Sequence, residues 1–209
     1  MNIIVCDDHP VVREGLTRLI RANLEVSSVN EVDNGQALLD LVRNQTCDLV
    51  LLDVGLPGRS GLDVLQQLKQ ERPRTAVLML SVHAANVYAV RALRLGASGY
   101  LTKSLAADEI IKAVRAVAAG HKYVTPDVAE RLAEDLERPL GRAAHETLSD
   151  REFEVLCLLA EGRSVRQISS QLFLSYNTVS TYRSRLLSKL CLKTDAEIVR
   201  YALHQGIVE

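Results

Sequence analysis

Five residues in the first half of the chain have types that together suit phosphoryl chemistry: the adjacent acids Asp7 and Asp8, then Asp53, Ser81 and Lys103. Each stands where a short apolar run stops. Ile3–Cys6 stops at Asp7, Leu49–Leu52 at Asp53, Val77–Leu80 at Ser81, and Tyr100-Leu101-Thr102 at Lys103. Three carboxylates gathered at one place repel, by about 4 kcal/mol for a pair near 4 Å at an effective dielectric near 20. A divalent cation relieves that repulsion. Mg²⁺ is the ion expected, because it takes oxygen ligands and is held by one or two carboxylates together with a phosphate. A carboxylate oxygen attacking phosphorus gives an acyl phosphate. The ammonium of Lys103 would neutralise phosphoryl oxygens and the Ser81 hydroxyl would donate to one. A single acid at a strand end usually caps a helix or meets solvent. The ordered set of acids, hydroxyl and lysine at successive strand ends carries the reading.

The elements that must place these residues are legible from periodicity. The apolar runs Ile3–Cys6, Val26–Val29, Leu49–Leu52, Ala76–Leu80 and Gly99–Leu101 have strand length. Between them, apolar residues recur at helical spacing: Val12, Leu16, Leu19 and Ile20, then Leu38, Leu41 and Val42, then Leu62, Leu65 and Leu68, then Val87, Val90 and Leu93. Ile110, Ile111, Val114 and Val117 follow the last run. Five strands alternating with five helices predict an α/β fold, a (βα)5 doubly wound parallel sheet. Such sheets bind ligands beyond the carboxyl ends of their strands, where all five residues fall.

From about His121 to Glu146 the pattern changes. Asp127–Glu137 is charged and helix-friendly, and Pro139 and Gly141 break it, which predicts a linker over 121–145. Beyond it, every apolar pattern has helical period. Ser149 with Glu152 forms a capping box before a helix ending near Ala160, and Gly162 stops it. A second helix over Val165–Leu172, the turn Phe173-Leu174-Ser175, a third helix from Tyr176 to about Leu190 and a fourth over Asp195–His204 complete an all-α unit of four helices. Helix, short turn, helix is the helix-turn-helix plan, in which the second helix of the pair enters the major groove of DNA. From Ser175 to Leu190 stand Arg183, Arg185 and Lys189 and no acid, a local charge of +3 on a chain whose 25 cationic and 26 acidic residues leave it at −1. The cations suit phosphates, and the small hydroxyls of Ser180, Thr181 and Ser184 suit base edges. With Thr178 they form the candidate DNA-facing set.

The motifs VCDDHP, LLDVGLPGRSG, LMLSVH and GASGYLTK, spread over residues 2–120, resemble the receiver domain of bacterial response regulators. The resemblance implies that a sensor histidine kinase phosphorylates Asp53. It also implies that Asp7 or Asp8, mainly Asp8, holds Mg²⁺ with Asp53 and the Gly55 carbonyl. By the same resemblance Ser81 is a switch hydroxyl, Tyr100 an aromatic switch and Lys103 the phosphate-binding lysine. Receivers usually carry proline after the lysine, in a cis peptide. Ser104 stands there in this chain, so either a non-proline cis bond or a rebuilt loop is expected. The stretch over residues 146–208 resembles the LuxR-type helix-turn-helix of NarL/FixJ response regulators, on Leu148, Arg151-Glu152, Val155-Leu156, Gly162, Ile168, Leu172, Ser175, Thr178-Val179 and Lys189-Leu190. Its run Thr-Val-Ser-Thr-Tyr is similar to the BvgA/EvgA type. This resemblance implies groove contacts at Ser180, Thr181 and Ser184. Many relatives carry lysine where Ser180 stands and histidine where Tyr182 stands.

The expected domains are therefore a receiver over 1–120, a linker over 121–145 and a DNA-binding domain over 146–209. The expected function is a DNA-binding transcriptional regulator that dimerises on phosphorylation, with RNA polymerase as a further partner. Its only catalysis would be its own phosphorylation and dephosphorylation. No apolar run approaches the ~20 residues of a membrane span. The four cysteines stand singly with no C-x-x-C pair, so a reduced, cytoplasmic protein is expected. An aspartyl-phosphate phosphatase needs a second acid two residues after the nucleophile, where this chain has Gly55. A ligand-sensing LuxR-type activator lacks the acid, hydroxyl and lysine set. A receiver acting by protein contacts alone would not bind duplex DNA with steep salt dependence.

Overall fold

Parallel strands buried on both faces need unbroken apolar runs, and the sheet's central strand is built that way. The computed structural model describes residues 1–81, 86–137 and 144–208. Its sheet has strands β1 (Asn2–Cys6), β2 (Ser28–Val32), β3 (Leu49–Asp53), β4 (Ala76–Ser81) and β5 (Gly99–Thr102), all parallel, in the order β2-β1-β3-β4-β5. Helices α1 (Pro10–Asn23), α2 (Gly35–Asn44), α3 (Gly61–Glu71), α4 (Asn86–Arg94) and α5 (Ala107–Ala118) alternate with the strands, as the periodicity predicts. One face of the sheet, carrying Ile3, Val5, Leu49, Leu51, Leu78, Leu80 and Leu101, packs on Leu16 and Ile20 of α1 and on Ile110, Val114 and Val117 of α5. Strand alternation sends Ile4, Cys6, Val50, Leu52, Met79 and Tyr100 to the opposite face, where they too are buried.

The second strand differs from its expectation. The apolar run Val26–Val29 predicts a strand there, but the ladder pairs Asn2 with Ser28 and Cys6 with Val32. β2 lies at the sheet edge, where covering one face is enough, and of its five residues only Val29 is buried. An edge strand reads as alternation rather than as an apolar run.

The segment after α5 also does more than link. Tyr123 bridges to Gly99, its carbonyl accepts from Tyr100 N–H at 3.3 Å, and its N–H donates to Ser98 O at 2.9 Å. A Cβ at Gly99 would stand 3.3 Å from Tyr123 Cβ and 2.8 Å from Leu78 Cδ1, so glycine allows this close approach. The first compact unit accordingly extends to Ala133, beyond the boundary expected at 120, and includes part of helix α6 (Pro126–Glu137). The expected break at Pro139 and Gly141 lies outside the described residues.

The second compact unit contains a 3₁₀ turn (Ala144–Thr147) and helices α7 (Asp150–Ala160), α8 (Val165–Gln171), α9 (Tyr176–Lys189) and α10 (Asp195–His204). Ser149 and Glu152 form the expected capping box. Ser164 and Gln167 form a second one at the start of α8, and Ser175 accepts from Thr178 N–H as N-cap of α9. Phe153, Leu156, Ile168, Val179, Leu186 and Ile198 are fully buried, so the four helices share one core.

Candidate functional site

The switch point of this topology lies between β1 and β3, from which the connections wind to opposite faces. Asp7 and Asp8 leave β1 and Asp53 ends β3, so the crevice is lined by acids. One ligand atom from each of Asp7, Asp8, His9 and Asp53 falls within 4.8 Å of the others. Asp7 is fully buried and Asp53 is 3% exposed. Lys103 reaches between them, its Nζ 2.7 Å from Asp7 Oδ2 and 2.8 Å from Asp53 Oδ2. All five expected residues thus fall at one end of the sheet. Ser81 is buried at the last position of β4, paired with Thr102, and its carbonyl accepts from Lys103 N–H at 2.7 Å. That bond anchors the residue from which the lysine side chain reaches the acids.

The backbone around the acids is held closely. Asp7 N–H donates to Val32 O at 3.2 Å, and Arg13 Nη1 donates to the Asp7 carbonyl at 2.6 Å. After β3, Val54 N–H donates to Leu80 O and Gly61 N–H to Val54 O, both at 2.9 Å. A Cβ on Gly61 would collide with the Asp53 carbonyl oxygen and come within 2.8 Å of Val54 Cα, so only glycine lets α3 begin so close to the acid. Among the described residues every peptide bond is trans. The loop with Ser104 is rebuilt as a turn, with Leu105 N–H on Thr102 O and Ser104 Oγ on Thr102 Oγ1, each at 3.2 Å.

The electrostatics follow from burial. Burial pushes the Asp53 carboxyl above the usual aspartate range. Lys103 opposes that rise, as does the Gly55 N–H, which donates to the carboxylate, while the Asp7 charge adds to it. Burial draws the Lys103 amine down, but Asp53 and Asp7 outweigh it and hold the amine above the usual lysine range. Three carboxylates and one ammonium leave an excess of negative charge in a buried crevice. Hard oxygen donors on a concave, anionic rim are the donor set that a small divalent cation takes. Asp7 Oδ2 faces Lys103 Nζ and Asp8 Oδ1 faces His9 Nδ1, each at 2.7 Å, and a carboxylate oxygen has a second lone pair that such an ion could take. His9, which by its place after the acidic pair could line the pocket without a catalytic role, has its Nδ1 2.7 Å from Asp8 Oδ1. The adjacency of the two residues was the available signal.

Tyr100 is buried on β5, in register with Met79 on β4. In the helical unit, Thr181, Ser184 and Arg185 are exposed on α9, as expected of DNA-facing residues. Ser180 and Arg183 are half-buried on one flank, where Arg183 Nε pairs with Asp195 at 2.7 Å. Lys189 lies on the other flank and its Nζ pairs with the buried Glu152 at 2.6 Å. Lys189 is exposed, as its expected outward placement requires, while Arg183 is half-buried rather than fully outward. Both are tied to acids of neighbouring helices, partners invisible to a reading of α9 alone. Thr178 is half-buried, and its hydroxyl lies 2.8 Å from Ser175 Oγ. Exposed Asn177, Thr181, Ser184 and Ser188 recur at spacings of four, three and four. They form the outward stripe, and that same spacing would have added Asn177 and Ser188 to the candidate set.

Fold and site together define a two-component response regulator, and comparison with known proteins agrees. Residues 3–115 match the response regulator receiver domain, and residues 146–202 match the bacterial regulatory proteins of the luxR family. The chain belongs to the NarL/FixJ family of response regulators, a receiver joined to a LuxR-type DNA-binding domain. It is 34% identical over 210 residues to the response regulator GacA of Pseudomonas aeruginosa, covering 100% of this chain and 98% of GacA. It is 32% identical over 208 residues to the response regulator UvrY of Escherichia coli, covering 99% of this chain and 95% of UvrY. Among solved structures it is similar to RcsB of Salmonella enterica serovar Typhimurium bound to promoter rprA in the presence of the phosphomimetic BeF3-. The TM-score is 0.60 and the identity 26%, over 96% of this chain and 98% of RcsB.

Proposed function

We propose that phosphorylation of Asp53 by a sensor histidine kinase sets the DNA-binding state of this regulator. The observation that carries the reading is Lys103 bridging the carboxylates of Asp7 and Asp53 at 2.7 and 2.8 Å, at the switch point of a receiver sheet. In the transfer, the N–P bond of the kinase phosphohistidine breaks and an Asp53 carboxylate oxygen forms the new O–P bond. The imidazole nitrogen keeps the bonding pair. Asp7, Asp8, Asp53 and the Gly55 carbonyl would hold Mg²⁺, which when bound offsets negative charge on the phosphoryl oxygens. Lys103 trades a carboxylate partner for the phosphoryl group, and the Ser81 hydroxyl donates to it. Tyr100 on the neighbouring strand follows, which shifts a surface formed by the last strands and helices.

A swing of the resting and active states from 1:99 to 99:1 needs about 5.5 kcal/mol of differential stabilisation. New bonds at the phosphoryl group supply part of it and homodimerisation the remainder. The active dimer binds double-stranded DNA through α9, and RNA polymerase is the next partner in transcription. RcsB bound to a promoter with a phosphomimetic supports this order of events. The chain has no separate substrate on this reading and works in the cytoplasm. Among the described residues no helix is long and apolar enough to cross a membrane, which is consistent with that location.

The test is Mg²⁺-dependent labelling by acetyl phosphate, read by intact mass, with sizing of the product. Wild type gains one phosphoryl group and shifts toward dimer. Asp53→Asn gains none. Full labelling of Asp53→Asn would remove Asp53 from this role.

A further inference from the structure

The turn of the helix-turn-helix holds a residue in a conformation that suits it poorly. Phe173 follows α8 with φ +54, in the left-handed region that bulky L-residues avoid. Leu174 N–H reaches back to Ser169 O at 2.9 Å, closing α8 by the wide turn that ordinarily places glycine where Phe173 stands. The Phe173 side chain gains no burial in return, since the residue is 67% exposed. Three residues on, Tyr176 opens α9 and is 58% exposed. Two large aromatic side chains are thus presented to solvent at the amino end of the recognition helix. Tyr176, Ser180 and Arg183 recur at spacings of four and three, so Tyr176 continues the flank on which Arg183 sits, and Phe173 is exposed in the turn just before it.

We infer that Phe173 and Tyr176 form an aromatic shoulder that packs against the sugar–phosphate backbone beside the major groove. This inference rests on the DNA-binding reading above and adds residues and a contact type to it. When a recognition helix sits in the groove, its outward stripe meets base edges and its flanks meet the two strands. A ring on the flank buries its face against deoxyribose, and a tyrosine hydroxyl there donates to a phosphate oxygen. Such contacts are insensitive to base sequence. The ring contact is also uncharged, so it contributes affinity without releasing counterions. Free in solution the left-handed phenylalanine only destabilises the turn, whereas on DNA its ring has a partner.

The experiment compares wild type, Phe173→Gly, Phe173→Asn and Tyr176→Phe as full-length chains, with Mg²⁺ and acetyl phosphate. Melting temperature is measured, and binding to a random-sequence duplex is measured across a salt series. Glycine and asparagine suit a positive φ, so both Phe173 variants should melt about 3 °C higher than wild type. Both should also bind duplex about tenfold more weakly, the loss expected for roughly 50 Å² of apolar surface left unburied. The slope of affinity against salt should not change. Tyr176→Phe should lose a few-fold in affinity at unchanged melting temperature. A higher melting temperature with undiminished DNA binding would overturn the inference, because the ring would then be idle on DNA. A lower melting temperature would overturn it too, because the ring would be packed within the protein. Wild type that binds no duplex refutes the DNA-binding reading itself, and the shoulder with it.

Discussion

Replacing Lys103 with methionine keeps the length of the side chain and removes its charge. In wild type the ammonium lies 2.7 Å from Asp7 and 2.8 Å from Asp53, and its side chain is 10% exposed. At an effective dielectric near 20 each contact attracts by roughly 6 kcal/mol. Burying three ions costs several kcal/mol apiece, so most of that attraction is offset. Removing one partner of a buried set exposes the rest as unpaired charge, at a net cost of about 3–5 kcal/mol. Lys103→Met should therefore lower the unfolding free energy by about that amount at pH 7.5 without metal. The loss should depend on pH in a definite direction. Asp53 already has its carboxyl pushed above the usual range by burial, against the pull of Lys103, and loss of the lysine raises it further. A carboxyl whose folded pKa exceeds its unfolded value binds its proton more tightly in the native state. Stability then rises as pH falls through the raised pKa, and the gain is complete below the ordinary aspartate value. The deficit should shrink toward pH 5, and saturating Mg²⁺ at pH 7.5 should shrink it as well by restoring positive charge. Urea unfolding at both pH values, with and without the ion, gives the four numbers needed. A deficit that ignores both pH and Mg²⁺ would show that the methylene stem of Lys103 matters for packing and its charge does not.

Gly61→Ala places a methyl group against the Asp53 carbonyl, so the loop entering α3 must shift. Calorimetry should show a loss of roughly 1–3 kcal/mol, and labelling of Asp53 should slow along with it. Arg185→Ala removes an exposed cation beside the outward stripe of α9. It should weaken binding to all duplexes alike and lower the salt slope by about 1, whereas Arg183→Ala, already paired with Asp195, should lower it less. Lys189→Met unpairs Glu152. Burial raises the Glu152 pKa, but Lys189 and Ser149 outweigh it and hold it below the usual glutamate range. Its stabilisation is therefore present above the ordinary glutamate value and is lost as pH falls through the depressed one. The variant should lose about 1 kcal/mol at neutral pH, a figure kept small by the solvent around Lys189, and should converge on wild type in acid when unfolding is compared across pH.

The acids of the crevice were legible because strand-end positions are set by period alone. Once Leu49–Leu52 reads as a buried parallel strand, Asp53 must stand on the rim. The same reasoning located Ser81 and Lys103 but could not reveal that one ammonium serves two carboxylates, because that depends on how β5 is spaced from β1 across the sheet. β2 was misplaced by a few residues because an edge strand satisfies its burial with Val29 alone. Tyr123 gave no strand signal, since a single bridge to Gly99 needs no apolar run. The recognition helix was legible in extent, and its flanks were not. Arg183 and Lys189 look free along α9, and their partners Asp195 and Glu152 belong to α10 and α7.

Charge counting at the rim links the resting site to its proposed chemistry. Asp7, Asp8 and Asp53 bring three negative charges and Lys103 returns one, so the crevice rests two charges short of balance. A divalent cation such as the proposed Mg²⁺ would match that deficit where a monovalent ion would not. Phosphorylating Asp53 would remove one carboxylate charge and add about two, so the site would become one charge more negative than before. The extra charge would be spread over phosphoryl oxygens that project beyond the Asp53 carboxylate, which already meets Lys103 and the Gly55 N–H at rest. Lys103, the Gly55 N–H and the Ser81 hydroxyl stand at the ends of β5, β3 and β4. On the proposed reading, drawing in the Ser81 hydroxyl would move the end of β4, which pairs along its length with the strand that carries Tyr100. Phosphorylation on this reading would add one negative charge to a crevice that already carries an excess of it, and that added charge would drive the switch.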